Sequence, residues 1–208
     1  MARGKTTVLQ LYHQRRGTKF PGDNQRAALF AEQGLGKSKQ LIDAISAEIQ
    51  SGSIDGAIIV CPNGLKSNWA NEVQKFADLP HTVFGSGKAA RRNAFSAMRS
   101  AFYIINYEAV PAEMPSLKAL LQFKRMALVL DESHRIKTPE AKVTRAIHKL
   151  RAFAARRYIL SGTPVANKPD DLWSLPDGRT LRVVRPPHPM GGMLVLFADI
   201  AGELKLKA

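Results

Sequence analysis

Residues 31–38, which read AEQGLGKS, restrict the possible folds of this chain more than any other stretch. A short apolar run at residues 27–30 precedes them. After them, apolar residues recur at the spacing of one helix face, at Leu41, Ile42, Ile45 and Ile49. A strand, a glycine-rich turn and a helix, in that order, are the setting of a phosphate-binding loop. The sequence therefore predicts an α/β domain with a nucleotide site where this helix begins.

Each part of this loop has a chemical task. Gly34 and Gly36 let the main chain turn tightly, so that successive N–H groups point at a phosphate. Lys37 can reach the β- and γ-phosphates of a nucleotide, and the Ser38 hydroxyl can ligate Mg²⁺. The loop opens with Ala31 where the strict motif has glycine. An ordinary strand-to-helix turn is therefore the alternative interpretation.

A second strand end carries the acidic groups that a phosphate loop requires. Residues 126–130 are apolar and run directly into Asp131 and Glu132. Asp131 can hold Mg²⁺ through its water shell, and Glu132 can accept a proton from an attacking water. The alternative is that two adjacent carboxylates merely begin a helix. That alternative explains neither the apolar strand before them nor the phosphate loop upstream.

The apolar segments predict a parallel sheet with helices on both faces, because predicted strands and helices alternate along the chain. Five segments are predicted strands: residues 27–30, 57–61, 102–105, 126–130 and 157–160. A further short strand is considered at residues 82–84. Trp69 lies on the apolar face of a predicted helix, and we interpret it as a core residue. Ligands bind at the carboxyl ends of parallel strands, where the motifs above fall.

Composition divides the chain and suggests a partner. Prolines and glycines become frequent after Leu175, so we expect a domain at residues 1–175 and a loosely held tail at residues 176–208, without a continuous helix or strand. There are 31 Lys and Arg against 17 Asp and Glu, a net charge of +14. This excess favours an anionic partner, most simply nucleic acid, although a solvated basic surface is the alternative.

Two further features concern the compartment. The only cysteine, Cys61, lies in a predicted strand, which excludes an intramolecular disulfide and favours a core position. The first residues lack the apolar region of a signal peptide, and no apolar run is long enough to cross a membrane. We therefore expect a cytoplasmic protein without a membrane partner.

The order of these motifs resembles that of the amino-terminal RecA-like lobe of Swi/Snf-type superfamily-two helicase-like ATPases. The phosphate loop is similar to their motif I, in which alanine commonly opens the loop and the run from Gly34 through Leu35 to Lys37 is typical. Residues 131–137 resemble a DEAH-type motif II, and residues 161–164 resemble motif III. The resemblance implies a P-loop NTPase fold that binds ATP with Mg²⁺ and hydrolyses it to ADP and phosphate.

The resemblance also implies binding roles. Gln14 would contact the adenine, although from the residues alone a solvated glutamine is the better interpretation. Pro62 and Asn68 lie in a segment similar to motif Ia, which touches the DNA backbone in this family. Asn106 and Tyr107 lie in the next strand-end motif and are assigned to the same nucleic-acid surface. The implied partner is duplex DNA, contacted through its backbone.

Coupling and turnover are the last implications of the resemblance. His134 would couple motif II to Ser161 and Thr163, which links hydrolysis to the DNA contacts. The family motor needs a second RecA-like lobe with arginine fingers, and nothing in residues 176–208 resembles one. We therefore expect this chain to bind ATP, to hydrolyse it very slowly alone, and to need a second lobe in trans. The alternative is a nucleotide- and DNA-binding module without useful turnover.

Overall fold

The computed structural model describes residues 26–30, 36–85, 99–132, 141–161, 182–184 and 194–197. Within these ranges the strands are β1 (Arg26–Phe30), β2 (Gly56–Cys61), β3 (His81–Val83), β4 (Phe102–Asn106), β5 (Met126–Asp131), β6 (Arg156–Ser161), β7 (Arg182–Val184) and β8 (Leu194–Phe197). The helices are α1 (Lys37–Gln50), α2 (Lys66–Phe76), α3 (Val110–Phe123) and α4 (Lys142–Leu150). Short 3₁₀ turns follow β2, β4 and α4, at Asn63–Leu65, Tyr107–Ala109 and Arg151–Phe153.

The strands form one sheet in the order β3-β4-β2-β5-β6-β1-β8-β7. The six strands from β3 to β1 are parallel to their neighbours, and β8 and β7 continue the sheet antiparallel. The predicted parallel α/β fold is thereby confirmed. Strand β6 lies between β1, which leads into the phosphate loop, and β5, which ends at Asp131. The three predicted motif strands are therefore adjacent.

Helices cover both faces of the sheet, because alternate residues of each central strand point to opposite sides. One buried cluster joins Ala57 and Ile59 of β2 to apolar residues of α1 and α2. The other joins Ile58 and Val60 of β2 to apolar residues of α3 and α4. Every residue of β2 and β5 is buried, as expected for parallel strands covered on both faces.

Helix α3 is an element that the sequence interpretation missed. Pro111 and Pro115 suggest an irregular segment, yet Pro111 lies in the first turn, where a helix needs no N–H donor from it. Pro115 lies inside the helix and removes one possible hydrogen bond. Four buried apolar residues offset this loss: Val110, Leu117, Leu120 and Leu121.

The carboxyl-terminal segment contains two short strands, which corrects the expectation that no continuous strand forms there. Neither β7 nor β8 includes a proline or glycine, because these residues stand in the connection between the two strands. Strand β8 pairs with β1 from Ala27↔Phe197 to Phe30↔Leu194, on the side of β1 opposite β6. The hairpin therefore pairs with an edge of β1 that the parallel strands leave open. The division of the chain at residue 175 stays a prediction.

Gly56 shows how closely β2 and β4 approach each other. A Cβ at this position would lie 2.2 Å from the carbonyl oxygen of Ala101. The same carbonyl accepts a hydrogen bond of 2.8 Å from the Ala57 N–H. Glycine is therefore required here by a close backbone approach.

A buried ionic cluster fastens α1 to the beginning of β6. Glu48 is 6% exposed and accepts hydrogen bonds from Arg156 Nε at 2.8 Å and from the Tyr158 hydroxyl at 2.6 Å. Burial, followed by the hydrogen bond and the negative charge of Glu48, raises the pKa of Tyr158. Because Arg156 begins β6, this cluster lies at the amino-terminal edge of the sheet.

The position of Cys61 agrees with a further expectation from the sequence. Cys61 is a free, buried cysteine at the end of β2, as a core position requires. Burial raises the pKa of its thiol to about 12, and the negative charge of Asp131 acts in the same direction. Among the residues described above, no helix has both the length and the apolar character needed to cross a membrane.

Candidate nucleotide site

The carboxyl edge of the sheet brings together three of the predicted site residues. Asp131 ends β5, Glu132 follows it, and Lys37 begins α1 one residue after Gly36. Burial lowers the pKa of Lys37, and the negative charges of Glu132 and Asp131 oppose that shift. The Lys37 ammonium therefore lies within electrostatic range of both carboxylates.

Gly36, the last glycine of the predicted phosphate loop, has a backbone conformation that favours glycine. Gly36 adopts the left-handed conformation, with φ 71° and ψ 34°, at the amino-terminal cap of α1. Glycine populates this region without the steric cost of a Cβ. Its carbonyl accepts a hydrogen bond of 3.0 Å from the Gln40 N–H, and half-buried Ser38 lies in the first turn. Gly34 and Leu35 lie outside the described residues, so their contact with phosphate stays a prediction.

Asp131 is held by donors from three separate parts of the chain. Its side chain accepts hydrogen bonds from the indole N–H of Trp69 at 2.8 Å, to Oδ2, and from the Glu132 N–H at 3.0 Å, to Oδ1. The Tyr107 hydroxyl donates to its main-chain carbonyl at 2.7 Å. Burial raises the pKa of Asp131, and the hydrogen bond from Trp69 is the main effect that opposes this shift.

Glu132 has an unusual backbone conformation for a residue with a side chain. Its φ is 50°, in the left-handed region. A non-glycine residue in this region costs on the order of 1–3 kcal/mol, and such residues concentrate at functional sites. The conformation leaves the Glu132 N–H bonded to Asp131 Oδ1. The local backbone therefore links the two carboxylates predicted to serve metal binding and proton transfer.

The donor set at this edge fits Mg²⁺. Magnesium takes oxygen ligands, keeps several waters and typically uses one or two carboxylates together with substrate phosphates. The donors to the Asp131 carboxylate are an indole and a peptide N–H, both uncharged, so they leave its negative charge available to a cation. Among the described residues there is no group of three or more His, Cys, Asp or Glu side chains able to hold a metal without a nucleotide.

Of the four residues predicted to bind nucleic acid, two are exposed or half-buried and two are buried. Asn68 is exposed on α2, and its amide donates to Glu72 at 3.4 Å, while half-buried Asn106 donates to the exposed Glu108 at 2.7 Å. Pro62 is buried at the end of β2, and Tyr107 is 3% exposed. The assignment of the Tyr107 side chain to a nucleic-acid surface is therefore corrected, because its hydroxyl and ring serve the interior.

The predicted coupling residues are only partly described. Ser161 ends β6, where it pairs with Phe30 of β1, and its neighbour Leu160 pairs with Asp131 of β5. Its position between the two motif strands matches the expected location of motif III. His134, Thr163 and the adenine-side Gln14 lie outside the described residues, so their roles stay predictions.

Trp69 and Tyr107 both donate hydrogen bonds to Asp131, which the sequence does not predict for either residue. Trp69 was interpreted as a core residue, which its burial confirms, but its indole also binds the side chain of Asp131. The two partners are 62 residues apart in the chain. The only available signal was that a buried indole N–H requires an acceptor, and the sequence does not indicate which one.

Comparison with known proteins identifies the family. The model of the SNF2-related domain matches residues 9–178. The TATA-binding protein-associated factor BTAF1 of Arabidopsis thaliana is 35% identical over 159 residues, which cover 70% of this chain and 7% of that protein. The SWI2/SNF2 ATPase core of Sulfolobus solfataricus, solved in complex with dsDNA, matches with a TM-score of 0.69 and 25% identity, covering 84% of this chain and 36% of that one.

A separate, shorter likeness is to the sensor protein DivL of Caulobacter vibrioides, 74% identical over 39 residues. It covers 19% of this chain and 5% of that protein. The chain spans only a small part of the curated relatives it matches, since it also covers 14% of the mouse DNA excision repair protein ERCC-6-like, at 30% identity. The family model nevertheless covers most of this chain, and the resemblance noted in the sequence is confirmed: the chain belongs to the SNF2 family of helicase-like ATPases.

Proposed function

We propose that this chain is the ATP-binding lobe of a DNA-dependent ATPase of the translocase type. One observation supports the proposal most strongly: Lys37 begins α1 and Asp131 ends β5 at the carboxyl edge of the sheet, where the charges of Asp131 and Glu132 oppose the lowering of the Lys37 pKa by burial. A cation opposite two acids, at the start of a helix, is the arrangement that a nucleotide triphosphate with a divalent metal requires.

The residues at this edge have separate tasks in the proposal. Lys37 holds the β- and γ-phosphates, and the main chain of Gly34, Leu35 and Gly36 surrounds them. Ser38 and Asp131 hold Mg²⁺, which neutralises charge on the phosphates when bound. Glu132 accepts the proton of the water that attacks the γ-phosphate, which gives ADP and phosphate. Gln14 contacts the adenine, and His134 connects Asp131 and Glu132 to Ser161 and Thr163.

The proposed nucleic-acid partner is duplex DNA, contacted through its phosphates. The net charge of +14 supports an anionic partner, and the archaeal relative was solved with dsDNA. Asn68 on α2 and Asn106 at the end of β4 lie where strand-end segments reach the surface. Binding of this kind tolerates sequence and weakens steeply as salt concentration rises.

Hydrolysis at a useful rate is proposed to need a second lobe. An arginine supplied to the transferring phosphoryl group is worth on the order of 10³–10⁵ in rate. This chain covers 36% of the archaeal ATPase core, so the rest of that protein is long enough to include a second lobe that supplies such an arginine. We therefore assign ATP binding to this chain and turnover to its complex with a second RecA-like lobe.

Nucleotide binding is tested by titration calorimetry of ATP with Mg²⁺. Lys37→Ala should abolish measurable binding, because it removes the charge that faces the phosphates. Lys39→Ala is the matched control, since Lys39 lies in the same turn and forms an ion pair with Asp43 on its own helix. Equal ATP affinity of the wild-type and Lys37→Ala proteins would refute the site.

Turnover is tested by phosphate release with saturating duplex DNA. We expect very slow release from this chain alone, a large increase when a second lobe is added, and loss of that increase in Glu132→Gln. Absence of turnover even with a second lobe would favour the alternative, a nucleotide- and DNA-binding module without useful hydrolysis. Turnover of several per second by the chain alone would contradict the need for a second lobe.

A further inference from the structure

Trp69 carries the one buried polar group of α2 that reaches the candidate site. The residue is 1% exposed and packs in the cluster between α1, α2 and the sheet. Its indole N–H donates to Asp131 Oδ2 at 2.8 Å, and this bond is itself buried. An indole has a single donor, so this bond satisfies all of its hydrogen-bonding capacity.

The bond does more than satisfy the indole. A carboxylate that accepts from two donors, one on each oxygen, has its rotamer fixed. The second donor, the Glu132 N–H, belongs to the residue next to Asp131 and moves with it, whereas Trp69 belongs to a different element. Trp69 is therefore the donor from a different element, and its bond fixes the orientation of the Asp131 carboxylate relative to the rest of the domain.

We propose that Trp69 is a positioning residue for the carboxylate that holds Mg²⁺. This inference rests on the proposed function, in which Asp131 is a metal ligand. Trp69 touches neither nucleotide nor metal in this proposal, and it acts only through Asp131. Groups that hold a metal ligand in this way typically change metal affinity by about tenfold to hundredfold when they are replaced.

The position of Trp69 gives the proposal a second consequence. Asn68, the neighbouring residue, is exposed on α2, in the segment predicted to contact the DNA backbone. A displacement of α2 by a ligand at Asn68 would move the indole and with it the Asp131 carboxylate. Trp69 thus provides a direct connection between the nucleic-acid segment and the nucleotide site.

The test is Trp69→Phe, which keeps an aromatic ring in the core, removes the N–H donor and makes the buried side chain smaller. ATP affinity is measured by calorimetry with Mg²⁺ and with EDTA, and the ratio of the two affinities gives the Mg²⁺ enhancement. We expect the metal-free affinity to stay within about twofold and the enhancement to fall by about tenfold or more. A Trp69→Phe protein with unchanged enhancement would overturn the proposal.

Two control variants separate the possible causes of a change. Tyr158→Phe removes a buried aromatic donor from the other buried carboxylate, Glu48, and should leave the enhancement unchanged. A fall in Tyr158→Phe as large as that in Trp69→Phe would mean that losing any buried donor to a carboxylate has this effect, and it would contradict the proposal. Asp131→Asn should abolish the enhancement, and if it does not, the proposed function fails at the metal ligand itself.

The wild-type protein gives a second, independent readout. The chain has two tryptophans, so a ¹⁵N-labelled sample gives two indole N–H resonances, which Trp173→Phe assigns. Adding Mg²⁺ to the ATP-bound protein should move the Trp69 resonance, and the movement should vanish in Asp131→Asn. A Trp69 resonance that stays fixed while Mg²⁺ strengthens ATP binding would refute the connection without any change to Trp69.

Discussion

Two buried carboxylates lie at opposite edges of the same sheet, and their partners differ. Glu48, at the amino-terminal edge, accepts hydrogen bonds from the Arg156 guanidinium and the Tyr158 hydroxyl. Asp131, at the carboxyl edge, accepts them from the Trp69 indole and the Glu132 peptide N–H. Each carboxylate thus has a donor on each oxygen, but within the described part of the chain only Glu48 has a hydrogen-bonded cation.

The difference separates a structural acid from one that we propose to bind a metal. A buried carboxylate with a paired cation is internally neutralised and holds α1 on the sheet. A buried carboxylate with uncharged donors keeps its charge, and its raised pKa reflects the free energy of keeping an anion away from water. Asp131 is therefore oriented by the fold and left able to bind a cation from outside.

The largest expected effect comes from breaking the Glu48 cluster. Glu48→Gln should lower the free energy of unfolding by about 3 kcal/mol, because it leaves the Arg156 guanidinium without its counter-charge. Urea unfolding followed by circular dichroism measures the change. Asp43→Asn on the same helix is the control, since its pair with Lys39 joins two residues of one helix at i and i+4 and should cost less than about 1 kcal/mol. Equal losses in both variants would contradict the distinction.

The tyrosine at the amino-terminal edge should contribute more to the free energy of unfolding than the tyrosine at the carboxyl edge. Tyr158→Phe should cost about 2 kcal/mol, because its hydroxyl donates to a charged carboxylate. Tyr107→Phe should cost about 1 kcal/mol, because its hydroxyl donates to a neutral carbonyl. The same unfolding measurement compares them, and a larger loss in Tyr107→Phe would reverse the expected order.

The pH dependence of stability should report the burial of the Cys61 thiol. Folding raises the pKa of this thiol from 9.0 to about 12, so the unfolded thiol ionises first and stability falls as pH rises above 9.0. Between pH 8 and pH 10 the loss should be about 1.4 kcal/mol. Cys61→Ala should remove it, whereas Asp131→Asn should leave it almost unchanged, because the loss below pH 10 depends on the pKa of the unfolded thiol. A Cys61→Ala protein with the wild-type pH dependence would show that burial does not control this thiol.

The smallest effect on stability should come from Asp131 itself. Without nucleotide, Asp131→Asn should change the free energy of unfolding by less than about 1 kcal/mol, because the N–H donor that its amide group leaves unpaired is offset by removing a buried anion. Thermal unfolding with ATP, with and without Mg²⁺, should show that the variant no longer gains stability from the metal. A loss as large as that of Glu48→Gln would make Asp131 a structural acid.

Long apolar runs made most of the sheet predictable, whereas the remaining elements depend on contacts distant in sequence. Segments such as 126–130 have no other plausible role in a domain of this size, and the five predicted strands agree with the structure within one residue at each end. Helix α3 was missed because Pro111 and Pro115 look like breaks, and the burial that offsets them is tertiary. The β7–β8 hairpin was missed because its stability depends on pairing with β1.

The candidate site was predictable in its reactive groups and not in its supports. Lys37, Asp131 and Glu132 belong to local patterns, a glycine-rich turn before a helix and an apolar strand that ends in acids. The indole of Trp69 and the hydroxyl of Tyr107 reach Asp131 only because α2 and the end of β4 pack beside β5. No local pattern indicates which acceptor a buried donor will find.

The backbone of Glu132 has a consequence for protein engineering. With φ at 50°, this position suits glycine better than any residue with a Cβ. Relief of the left-handed conformation is worth about 1–2 kcal/mol, so Glu132→Gly should be more stable than Glu132→Ala, which thermal unfolding can measure. A screen for heat resistance alone would therefore favour glycine here and remove the proposed proton acceptor. Directed evolution of this domain needs a concurrent selection for activity to keep that carboxylate.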